Sequence, residues 1–186
     1  MRAALDDAAA RRLEAEEDER LAALDTLRSQ DLAAVARSLL ARGGAVQVGL
    51  ADRRVTGRLA AVGADWMALD TVGGEVDVAL GACAWLRALP TDVPLAAPGG
   101  PRVTRGIASH PPDAWTFRAR LAQLELAGAA LDLGTASADL ELTGRLLAAA
   151  RDHVVVREPT GAVWHVAQVA WVRLRGELDG QIRPPR

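Results

Sequence analysis

Two tripeptides, Trp85-Leu86-Arg87 and Trp171-Val172-Arg173, carry the residue types and spacing that could do chemistry in this chain. Residues two apart on an extended strand share a face, so each tripeptide sets an indole beside a guanidinium. Such a pair can stack on an unpaired base. It can equally anchor a protein interface, where tryptophan and arginine are enriched. Arg58 and Arg145 join the set because each follows a Thr-Gly dipeptide in an alternating segment, with its side chain on the polar face. The candidate binding residues are therefore Trp85, Arg87, Trp171, Arg173, Arg58 and Arg145.

Other reactive types do not assemble into a site. His110, His153 and His165 lack metal-ligand spacing, and no second cysteine joins Cys83. Cys83 lies in an apolar run with no histidine in register, which describes a buried thiol rather than a nucleophile. Gly73-Gly74 and Gly99-Gly100 lack the strand-to-helix setting of a phosphate loop. The run Glu16-Glu17-Asp18-Glu19 reads as solvated helix surface rather than as paired catalytic carboxylates. The expectation is a protein that is not an enzyme, with no catalytic residue, no metal, no cofactor and no small-molecule substrate.

Charge helps to rank the two binding chemistries. Formal net charge is -2, with 22 basic residues against 24 acidic ones. Every basic residue is arginine, and asparagine and tyrosine are also missing, the mark of a GC-rich bacterial genome. Residues 44–90 hold four arginines against five acids, and residues 114–176 hold seven against six. A dedicated nucleic-acid binder shows a clearer basic excess. The expected function is a non-enzymatic binding or scaffolding protein acting through protein contacts and self-association. A nucleic-acid-binding regulator or RNA chaperone, with RNA or DNA as partner, is the alternative.

The elements that must position these residues follow from an internal repeat. Thr56-Gly57-Arg58-Leu59 returns as Thr143-Gly144-Arg145-Leu146, and Asp65, Gly74 and Val76 match Asp152, Gly161 and Val163 at the same offset. One residue is then lost, and Ala84-Trp85 with Arg87 match Ala170-Trp171 with Arg173. A repeat of this kind signals a duplicated structural unit. Residues 1–43 form an amphipathic helical region, free of glycine and proline from 3 to 42, with a break expected near Ser29-Gln30-Asp31 and an end at Gly43-Gly44. Residues 44–90 change to a period of two and give five short strands. Val55, Gly57, Leu59 and Ala61 lie on the inner face of the second, and Leu142, Gly144, Leu146 and Ala148 repeat that face. Residues 91–112 are a linker rich in proline and glycine. Residues 113–176 repeat the scheme, with Asp113 as N-cap of a helix over 115–126 and then strands, and 177–186 form a polar tail.

A helix leading into five strongly bent strands resembles the Sm-like branch of the SH3-like small barrels. The residues that carry the resemblance are Gly57-x-Leu59, Asp65-Trp66-Met67-x-Leu69 and Ala84-Trp85-Leu86. It implies an α+β fold: an N-terminal helix plus two tandem five-stranded Sm-like/SH3-like antiparallel barrels. The family's RNA-binding signatures are not retained at Met67 or at Leu80-Gly81-Ala82-Cys83, so no RNA-contact residue carries over. With one cysteine no intramolecular disulfide forms, no uncharged run reaches the ~18 residues of a membrane span, and the start lacks a signal-peptide core. A cytoplasmic protein without membrane association is expected.

Overall fold

The computed structural model describes residues 2–90, 114–137 and 140–175. The whole 91–112 linker with His110, Asp113 and the 177–186 tail lie outside the described residues. Helix α1 spans Arg2–Ser29 and α2 spans Leu32–Ala41. The break between them falls where the sequence predicts it. Asp31 is extended and its carboxylate accepts from the Ala34 N–H at 2.6 Å, which starts α2. Gly43, at φ +67°, ends that helix, a conformation that L side chains rarely adopt. Helix α3 spans Phe117–Leu126. Its N-cap is Thr116, whose hydroxyl accepts from the Ala119 N–H at 3.2 Å, so the helix begins two residues later than expected.

The strands of the first half are β1 (Ala45–Gly49), β2 (Arg54–Val62), β3 (Trp66–Thr71), β4 (Gly74–Ala79) and β5 (Trp85–Ala88), with a 3-10 turn at Leu80–Ala82 before β5. Those of the second half are β6 (Ala130–Thr135), β7 (Glu141–Ala149), β8 (His153–Arg157), β9 (Val163–Ala167) and β10 (Val169–Leu174). All ten join one antiparallel sheet in the order β5-β1-β2-β3-β4-β10-β6-β7-β8-β9. This overturns the expected pair of closed five-stranded barrels, and with it the resemblance to the Sm-like and SH3-like family. In neither half do the two outer strands pair with each other. The backbone donors and acceptors at the edge of β4 are taken up by β10 of the other half, so the sheet runs on and stays open.

What does repeat is the pairing scheme. Val46 faces Gly57 as Leu131 faces Gly144, and Gly49 faces Trp85 as Gly134 faces Trp171. A register shift between Leu59 and Ala61 has its twin between Leu146 and Ala148. That bulge alters the face expected for Ala61. Leu59 and Val62 join one core cluster, whereas Ala61 points into the other. The repeat slips by one residue at β9. Val76 pairs with Leu69, but its counterpart opposite Val156 is Trp164, not the sequence-matched Val163. The cause is a longer turn: Thr71 pairs directly with Gly74, while Glu158 donates across to the Ala162 carbonyl.

The two core clusters interlock. Ala61, Trp66 and Ala68 of the first half pack with Leu124, Leu131, Val172 and their neighbours of the second. Ala170 and Trp171 of the second half pack with Val46, Val48, Met67 and Val78 of the first. Polar ties reinforce this. The Trp66 Nε1–H donates to the Trp115 carbonyl at 2.9 Å, and Asp65 accepts from the Phe117 N–H at 2.5 Å. Each half thus buries its strands partly against the other.

Candidate functional site

The six candidate residues fall in three places. Arg58 and Arg145 are exposed and occupy equivalent positions. Arg58 Nη1 donates to the Gly43 carbonyl at 2.9 Å, and Arg145 Nε donates to the Gly128 carbonyl at 3.0 Å. Gly43 and Gly128 both have positive φ and follow the ends of α2 and α3. Each arginine therefore clasps the turn between a helix and the strand it feeds.

Trp171 and Arg173 lie at the junction between the halves, where β10 pairs with β4 in the register Trp171 opposite Val78, Val172 opposite Asp77 and Arg173 opposite Val76. Trp171 is fully buried and fills the space left by Gly134, where a Cβ would fall inside the indole. The Arg53 guanidinium covers it at 4.3 Å from the ring centroid and ion-pairs with Glu141 of the second half and Asp52. Arg173 lies against Gly73 of the β3–β4 turn, and its buried Nε has no hydrogen-bond partner. An open cleft of about 380 Å³ lies beside it, lined by Arg53, Arg54, Thr56, Thr71, Gly73 and Arg173 among others, with no acidic residue in its wall.

Trp85 and Arg87 occupy the corresponding positions on β5, at one end of the sheet. Trp85 rests on Gly49 as Trp171 rests on Gly134, but it is 39% exposed, and Arg54 stands off its ring at 5.9 Å. A shallow hollow of about 580 Å³ beside it is formed by the β1–β2 turn, including Asp52 and Arg54. The other end of the sheet is β9, where Val163 and Trp164 are also exposed. Two tryptophans matched in sequence therefore have different surroundings: Trp171 is sealed by the first half, and Trp85 is open.

Three features escape a reading by sequence pattern. Arg53 ends the β1–β2 turn and Arg54 begins β2, and only the fold brings them to the two tryptophans. Trp164 has no aromatic counterpart in the first half, and its position at the sheet edge depends on the slip in β9. The third is a buried ion cluster across the junction. Arg120 of α3 donates to Asp77 at 2.8 Å and to Glu75 at 2.5 Å, and its third bond goes to Gln123 at 3.0 Å. Its guanidinium also lies 5.6 Å from the Trp66 ring centroid. Burial pushes Asp77 up to about 7, with the Arg120 charge pulling it down and Glu75 pushing it up. One guanidinium between two carboxylates needs only one of them ionised.

Burial also pushes the Cys83 thiol up to about 11, and its sulfur sits 3.6 Å from the Ala79 carbonyl. Among the described residues no group of three or more histidine, cysteine or acidic side chains is placed to hold a metal ion. No helix among them is long and apolar enough to cross a membrane. No protein-family model, curated protein or solved structure matches the chain.

Proposed function

We propose that this protein is a non-enzymatic scaffold that binds other protein chains, its own included, by strand pairing at the two free edges of its sheet. The observation that supports this reading is the contrast between joined and open edges. β4 and β10 cover one another inside the chain, whereas β5 and β9 each have a single neighbour among the described residues. Unpaired edges template the addition of another strand, and soluble proteins usually guard them. Here the ends instead carry exposed Trp85, Val163 and Trp164. Light scattering across a concentration series should show mass rising above the 19.6 kDa of one chain. Trp164→Lys, which charges one edge, should return the mass toward one chain. A wild-type mass that stays at one chain, together with no retention of any protein, overturns this reading.

One observation favours nucleic acid as a second reading: the arginine-lined cleft, with its unpartnered Arg173 Nε and two threonines. Backbone phosphates would be held by the guanidinium groups of Arg53, Arg54 and Arg173 that line the cleft. Single-stranded RNA should then be retained at about 50 mM salt and released steeply as salt rises. Arg54→Gln and Arg173→Gln should each reduce that retention. Absence of retention at low salt removes this second reading.

A further inference from the structure

We infer that the occupant of each free edge is the opposite edge of a second copy of this chain, β5 of one against β9 of the next, in a single register. The inference rests on the scaffold reading and adds its partner, direction and recognition residues. The internal β4–β10 junction supplies the template. The pairings Gly49–Trp85 and Gly134–Trp171 equate β5 with β10 residue for residue. Met67, Ala68 and Leu69 pair with Val78, Asp77 and Val76, and their counterparts Val154, Val155 and Val156 pair with Val166, His165 and Trp164. β9 is thereby equated with β4. Laid on the internal junction, the free edges meet antiparallel, with Trp85 opposite Val166, Leu86 opposite His165 and Arg87 opposite Trp164.

The chemistry at these positions suits that register. Trp85, 39% exposed, gains the cover that Trp171 already has. Arg87, exposed on β5, meets the face of Trp164, which is 40% exposed, and cross-strand pairs of this type attract. Arg173 lies against the turn that carries Thr71. Arg87 would lie against the longer turn that carries Glu158, so the second junction gains a charge pair that the internal one lacks. The opposite substitution keeps the two junctions apart. Helix caps Asp31 and Thr116 align α2 with α3, which places Val35 where α3 has Arg120. An incoming β5 therefore brings no partner for the buried Asp77 and does not displace β10. Because one edge differs from the other, the contact is head-to-tail, and copies close into a ring or extend as a chain.

Full-length chains carrying Cys83→Ala provide the test. One is given Leu86→Cys and another His165→Cys, both at positions that are not fully buried. Mixed and oxidised, the two should yield a disulfide-linked pair that neither forms alone. Leu86→Cys mixed with Trp164→Cys, one residue out of register, should not cross-link. Arg87→Glu and Glu158→Arg should each weaken association at least tenfold, and the two changes in one chain should restore it. Cross-linking of Leu86→Cys with itself would indicate edge pairing by two-fold symmetry and overturn the head-to-tail register. Association that ignores both charge changes overturns the register while leaving the scaffold reading standing. A wild-type chain that never associates with itself overturns this inference, and one that also retains no other protein overturns the scaffold reading as well.

Discussion

Gly57 and Gly144 show how a single missing side chain shapes the sheet. A Cβ on Gly57 would approach the Asp70 carbonyl oxygen at 2.5 Å, and one on Gly144 would approach that of Arg157 at the same distance. The obstacle is neighbouring backbone, which cannot rotate away as a side chain would. Gly57→Val should therefore destabilise the protein by roughly 1–3 kcal/mol, read as a fall in denaturant midpoint, and Gly144→Val should do the same. Equal stability of either variant would show that the strands can part there. Asp77 gives a second expectation at this scale. The native carboxyl holds its proton to about pH 7, whereas an ordinary aspartate releases it near 3.8. Its contribution to stability is then fully present below about pH 4 and is lost as pH rises toward 7. Denaturant midpoints measured across that window should fall, and Asp77→Asn should flatten the slope. An unchanged slope in Asp77→Asn would mean that another group titrates.

At the scale of elements, α1 shows two exposed leucines and a break from the next helix. Leu21 and Leu24 are 53% and 38% exposed, and α1 is separated from α2 by the capped break at Asp31. Deleting residues 1–28 should leave the circular dichroism of the strands intact and the unfolding midpoint nearly unchanged. An insoluble product would place α1 in the fold's core. Much of this level was legible in the residues. Asp31 and Gly43 bound α2 because capping is a local matter, and Val55, Gly57 and Leu59 face inward because strand period is also local. Ala61 was misassigned because a bulge needs a partner strand to define it. Thr116 and Asp113 are both good cap residues by type, and the hydrogen bond that identifies Thr116 as the cap of α3 is not written in the sequence. Closure was not legible at all. Whether β4 pairs with β5 or with β10 depends on contacts between distant segments, and the alternating pattern of β4 is the same in both cases. The candidate site suffered likewise. Trp85 and Trp171 look identical in sequence, and their difference lies wholly in which strand comes next.

That difference governs the whole molecule, because one tryptophan closes an internal junction and the other marks an open one. Trp171 is buried among residues of the first half, with Gly134 beneath it and Arg53 above. Truncation to alanine leaves a void that those packed strands cannot collapse into. Trp171→Ala should cost about 3–5 kcal/mol and loosen the two halves together, since their cores interlock. Trp85 has the equivalent neighbour, Gly49 of β1, but no other half over it, so Trp85→Ala should cost only about 1–2 kcal/mol. If β5 receives β9 of another copy, the ranking reverses for association: Trp85→Ala should weaken it tenfold or more while the fold survives. Trp171→Ala should affect assembly only as far as it unfolds the chain. Chemical denaturation and light scattering on both variants separate the two effects. Equal losses of stability would mean that Trp85 is as enclosed as Trp171, and unchanged association in Trp85→Ala would move the interface away from β5.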